Sequence, residues 1–156
     1  MFRLTMMLLI ICALSSLASC RGCKPVIYDS DKELNRHEAK SRLTLIQIDL
    51  NCYYHVKGEY PPTTIDGKDG SETLAFYLTS GLPEMRDVLG AQSVATRQGW
   101  LKTDEKGNLV FLGPWGDPIR YKRVGTNSCM IWDIGPNGID ENGGGDDMCM
   151  TLKDGK

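Results

Sequence analysis

A chain of 156 residues that is 41% hydrophobic and 24% charged has room for one domain with a real core and hardly for two, and it is too apolar to be disordered. Eighteen basic side chains against 20 acidic ones leave a formal charge of −2. That balance argues against a nucleic-acid partner, which requires a basic face.

The first element is a leader. "MFRLTMMLLIICALSSLASC" places Arg3 before an apolar run from Met6 to about Leu17, which is short of the roughly 20 residues a bilayer span needs and has the form of a signal peptide. At its end Leu17, Ala18, Ser19 and Cys20 resemble the bacterial lipobox, in which small residues precede a Cys that is diacylated and becomes the mature N-terminus. The expected organisation is a lipoprotein signal peptide over residues 1–19, lipidation at Cys20, a tether over 20–30 and a globular domain over 31–156. An ordinary cleavable signal with a chance Cys is the alternative. Each methylene buried in lipid contributes about 0.8 kcal/mol, so two or three acyl chains anchor the domain to a membrane without spanning it. The expected location is the bacterial cell envelope, outside the cytoplasm.

Export changes how the cysteines are read. Cys12 leaves with the leader and Cys20 carries lipid, so Cys23, Cys52, Cys129 and Cys149 remain. Four cysteines allow three pairings. Cys129 and Cys149 bracket an acidic segment, and a bridge across a loop of about 20 residues contributes roughly 3 kcal/mol by reducing unfolded-chain entropy. That disulfide is the favoured pairing, with free thiols as the alternative. The close-paired spacing of a zinc site is missing.

A helix is expected from near Asp31 to about Val56, closed by Gly58 and the Tyr60–Pro62 stretch. Ala39, Leu43, Ile46, Leu50 and Tyr53 recur at spacings of four and three and define its core face. Leu45, Ile48, Cys52 and Val56 form a second stripe nearly opposite, to be covered either by the following segment or by a partner. A loop and a short helix from about Ser71 to Leu78, closed by Gly81, come next, and "PEMRDVLG" adds a turn or two. After Trp100 the pattern changes to short strands, "WLKT", "LVFL", "IRYKRV" and "CMIWDI", separated by the turns "DEKGN", "GPWGDP" and "GTN". This alternation predicts an antiparallel meander and an α+β fold, a long N-terminal helix packed on a small antiparallel sheet.

Three blocks in this order resemble the C-terminal globular domain of the type II secretion major pseudopilin, the G protein of that system, within the type IV pilin-like family. "LTLIQIDLNCYYHVKGEYPPT" is similar to the family's helix end, through Leu43, Ile46, Leu50, Tyr53, Gly58, Tyr60 and Pro61. "GPWGDPIRYK" resembles its "DPWGxPY" turn and strand, through Pro114, Trp115, Gly116, Pro118 and Tyr121. "WDIGPNGIDENGGGDDM" resembles its terminal "SxGxDGxxGGxxxxxDI" loop. The match covers about residues 39–61 and 109–148. Physically, Gly58 closes the helix, Pro61 and Pro62 stop it resuming, and Trp115 supplies a large anchor packed in the core. A pseudopilin enters its fibre through an apolar N-terminal helix with a Glu at the fifth mature position. Here the apolar segment ends in a lipobox and has no Glu, so the resemblance implies the fold without the usual polymerisation.

The acidic segment Asp133–Met148 carries five carboxylates and two Asn side chains among five glycines, with no basic residue from Val124 to Leu152. Oxygen ligands on a flexible backbone suit Ca²⁺, which takes six to eight oxygens. It is not an EF-hand, since counting from Asp140 the twelfth position is Thr151. The resemblance implies one structural calcium, with Asn137 where the family has the Asp of its "DG" and Asp147 at the final "DI" Asp. Asp140 and Asp146 are added on chemical grounds, with Asp133 and Asn142 as further candidates, and a solvated loop without metal is the alternative. His37 and His55 lie far apart on the predicted helix and no nucleophile-elbow, P-loop or HExxH motif occurs. The expected function is non-catalytic: a membrane-anchored, calcium-stabilised pseudopilin-like lipoprotein acting through contacts with envelope or secretion-system proteins, without nucleic acid or small-molecule substrate. A structural or ligand-binding envelope lipoprotein unrelated to secretion is the alternative.

Overall fold

The computed structural model describes residues 30–79 and 99–156. Helix α1 spans Ser30–Lys57 and α2 spans Gly70–Thr79. Strands β1 (Leu101–Thr103) and β2 (Leu109–Phe111) form one antiparallel sheet, and β3 (Arg120–Gly125), β4 (Ser128–Asp133) and β5 (Met148–Lys153) form a second in the order β3-β4-β5. The fold is α+β. The signal peptide, Cys20, Cys23, Gly81 and "PEMRDVLG" lie outside the described residues.

Helix α1 follows its sequence closely. Asp31 and Glu33 in the first turn and His55 and Lys57 in the last complement the helix dipole. Gly58, at φ 75°, closes it in the left-handed conformation, its amide donating to the Tyr54 carbonyl at 2.7 Å. Ala39, Leu43, Ile46, Leu50 and Tyr53 are all buried, and Asp49 is buried among them. The opposite stripe divides: Leu45 packs against the core, whereas Ile48 and Val56 are 52% and 44% exposed.

Helix α2 starts on a reciprocal cap. Asp69 Oδ1 accepts the amides of Ser71 and Glu72 at 2.9 and 3.1 Å, and Glu72 Oε2 accepts the Asp69 amide at 3.0 Å. Glu72 Oε1 also accepts Asn108 Nδ2 at 3.1 Å, which ties this helix start to the turn between β1 and β2.

Two layers meet in one core, with α1 against β4 and β5 and α2 against β2 and β3. Leu43, Ile46 and Leu50 meet Leu74 and Leu78, Phe111, Ile119, Tyr121, Ile131 and Leu152 there. Tyr121 is anchored by its hydroxyl, which donates to the Pro61 carbonyl.

Several expectations need correction. The strands make two sheets: at the Gly113–Asp117 turn β2 and β3 are joined by the isolated bridge Leu112↔Pro118 and do not extend it into a ladder. β5, which no run of strand-forming residues marks, supplies the third strand of the second sheet. Trp115 is half-buried on that turn, and the indole within the central cluster is that of Trp100, whose ring lies 5.9 Å from Phe111 and 5.3 Å from the Arg42 guanidinium. Cys129 and Cys149 do not bridge: both are free thiols. Cys129 pairs with Leu152 and Cys149 with Trp132 in the ladder. The two cysteines are thus three register steps apart, about 10 Å at strand spacing, with side chains on opposite faces, whereas a disulfide needs Cα atoms within about 7 Å.

Candidate metal centre

The acidic segment is the connection between β4 and β5, so both its ends are fixed by the Asp133↔Met148 pair. Its glycines allow close stacking at two points. Gly135, at φ 69°, lies so near the opposite limb that a Cβ would stand 2.5 Å from the Asp146 carbonyl oxygen. Gly145, at φ 53°, leaves room for the Glu141 carboxylate, which a Cβ would strike. The bare backbone at these positions lets the chain double back on itself.

Doubling back gathers Glu141, Asp146 and Asp147, each with a carboxylate oxygen within 4.8 Å of the others. Backbone amides hold them. Asp147 Oδ2 accepts the Glu141 and Gly143 amides at 3.0 and 2.8 Å, Asp146 Oδ2 accepts the Asn137 amide at 3.3 Å, and Glu141 Oε2 accepts the Asp146 amide at 2.9 Å. Asp146 Oδ1 and Asp147 Oδ1 are buried without a hydrogen-bond partner. Two unit charges 4 Å apart repel by about 4 kcal/mol at an effective dielectric of 20. Buried carboxylate oxygens ordinarily find a donor or a cation, because leaving one unsatisfied costs roughly 1–3 kcal/mol or more. The set is all oxygen, the ligand chemistry of a hard divalent cation.

The structure brings together only some of the residues expected from sequence. Asp146 and Asp147 belong to the cluster. Asn137 lies beside it: its amide donates to Asp146 Oδ2, and its Oδ1 accepts the Ile139 amide at 2.6 Å in a local turn. Asn142 is exposed at φ 58°. Asp140 turns to the sheet, accepting from Trp132 Nε1 at 2.9 Å and Arg120 Nε at 3.1 Å. Glu141 was missed, although its place beside Asp140, five residues before Asp146, was the available signal.

Asp133 is 1% exposed and stands outside the cluster, against Gly113. One oxygen accepts the Gly135 amide at 3.2 Å; Oδ2 has no hydrogen-bond partner. Burial pushes its pKa up to about 6, against the lowering effects of the Gly135 amide and Arg42 and with Asp117 and Asp147 raising it further. Between pH 4 and 6 the folded chain therefore binds more protons than the unfolded one. Asp133 contributes stability that is complete below about pH 4 and lost as pH rises through about 6. A tenfold difference in proton affinity is about 1.4 kcal/mol. Asp133→Asn is expected to flatten this part of the profile, and urea midpoints measured in chelator from pH 4 to 7 check it. A profile that keeps its slope in the variant assigns the titration to another group.

No protein-family model, curated protein or solved structure matches this chain.

Proposed function

We propose that this chain is a non-catalytic, lipid-anchored envelope protein whose domain is of the type II secretion G-like pseudopilin kind, stabilised by calcium and acting through protein contacts beside secretion machinery. The observation that carries the calcium reading is the pair of buried, unpartnered oxygens on Asp146 and Asp147 beside Glu141. These three carboxylates would supply the charged ligands, and carbonyls and water would complete a shell of six to eight oxygens. Calcium there would offset the mutual repulsion and hold the limbs of the loop together.

The pseudopilin reading is supported by the succession of elements. A long helix capped by Gly58 is followed by a three-stranded meander whose last connection is the acidic loop. Exposed Ile48 and Val56 on α1 support a role in protein contacts. In this reading the lipid at Cys20 provides the anchor; no helix among the described residues is long and apolar enough to cross a membrane.

The test is thermal unfolding of the full chain in detergent, in excess calcium and in chelator. A cation at 100 times its dissociation constant that binds only the folded state adds about 2.7 kcal/mol, and the midpoint is expected to rise by about 5–10 °C. An unchanged midpoint together with silent calorimetry removes calcium from the proposal.

A further inference from the structure

Asp140 is not used by the cluster, although it stands directly before Glu141. Asp140 Oδ1 accepts from Trp132 Nε1 at 2.9 Å and from the Asn142 amide at 3.0 Å, and its Oδ2 accepts from Arg120 Nε at 3.1 Å. Arg120 and Trp132 are register partners across β3 and β4, so both side-chain donors come from a single cross-strand pair. Trp132 is 5% exposed and gives this pair a rigid base. Burial raises the Asp140 pKa, but the bonds from Trp132, Asn142 and Arg120 outweigh it and hold the carboxyl below its ordinary range.

These bonds brace the backbone on both sides of Glu141. The Asn142 amide is tied to Asp140, and the Glu141 amide is tied to Asp147 Oδ2 at 3.0 Å. Glu141 itself is exposed, and a long side chain held in one rotamer loses conformational entropy. A fixed backbone reduces the freedom that remains to be lost when the carboxylate closes on a cation.

We infer, on the basis of the calcium reading above, that Asp140 is a positioning residue: Trp132 and Arg120 hold it to the sheet so that Glu141 is delivered to Asp146 and Asp147. It is not itself a ligand. The cross-strand pair thereby couples the cation loop to the body of the sheet.

Calcium titration calorimetry on the full chain, with Trp132→Phe, Arg120→Gln and Asp140→Asn, tests this. Removing partners that orient a ligand typically weakens metal affinity 10-fold to 100-fold. Each variant is expected to fall by at least about tenfold, and Trp132→Phe combined with Asp140→Asn to be no weaker than the weaker single variant. The indole N–H resonance of Trp132 should shift during the titration with the calorimetric midpoint. A merely structural role would lower the unfolding midpoint equally in calcium and chelator and leave affinity unchanged, and that result overturns the inference. Loss of binding in Asp140→Asn alone, with the other two variants unaffected, makes Asp140 a ligand and overturns it as well. Silence in the parent chain removes the calcium reading, and the inference with it.

Discussion

Gly70→Ala is expected to destabilise the domain by about 1–3 kcal/mol, the usual cost of overfilling a packed site. Helix propensity alone points the other way, since Ala is favoured over Gly by about 1 kcal/mol in a helix. The structure reverses the sign because α2 begins directly against β3. A Cβ on Gly70 would collide with the Tyr121 carbonyl oxygen and stand 3.1 Å from its carbonyl carbon. Tyr121 has little room to give way, being 3% exposed, paired with Ile131 across the sheet and bonded through its hydroxyl to Pro61. The obstacle is backbone, with no flexible side-chain end to swing aside. Chemical denaturation of the variant decides the matter: a lower urea midpoint at unchanged slope confirms the close approach. A higher midpoint shows that α2 can lift from β3 and that propensity governs.

On the proposed calcium reading, Asp147→Ala is expected to separate two effects, the packing of the loop and the binding of the cation. In chelator the variant loses the acceptor for the Glu141 and Gly143 amides, but it also relieves repulsion with Asp146 and Glu141. These changes oppose one another, and the stability should stay within about 1 kcal/mol of the parent's. In calcium at 100 times the parent dissociation constant the variant should fall behind by about 2.7 kcal/mol, because the linked binding energy is gone. Differential scanning calorimetry in both conditions reads the difference directly. Equal losses in calcium and chelator would make Asp147 a structural acceptor of amides and leave the cation without its central ligand.

Much of the architecture was legible along the chain. The spacing of Ala39, Leu43, Ile46, Leu50 and Tyr53 identifies the buried face of α1 because a helix repeats every 3.6 residues whatever packs on it. Gly58 and Pro61 mark its end through local backbone chemistry. Strands β1 to β4 stand out because turns rich in Gly, Asp and Asn separate short β-branched and aromatic runs. β5 was hidden: "MCMTLK" follows directly on the acidic loop, and three of its residues are sulfur-containing side chains without strong strand preference.

The site was legible as chemistry and not as geometry. That five carboxylates among glycines can hold a hard cation follows from residue types alone. Which of them converge depends on where the two limbs are anchored, and Asp140 and Glu141 show the difference. They are neighbours in the chain, yet one is drawn to Trp132 and Arg120 and the other to Asp146, a choice made by donors about 8 and 20 residues away in sequence. The cysteines illustrate the same limit. Their spacing suits a disulfide by loop entropy, and only the ladder register shows their side chains on opposite faces.

By itself, then, the sequence determined the α+β class, the long helix with its buried stripe and its Gly58 cap, and the oxygen-rich character of the last loop, since each depends on local periodicity or residue chemistry. Tertiary structure alone decided that the strands form two sheets, that Gly70 must lack a side chain, that Cys129 and Cys149 stay apart, and that Glu141 joins Asp146 and Asp147 while Asp140 braces the sheet. Each of those rests on contacts between segments remote in the chain, whose register and approach no local pattern encodes.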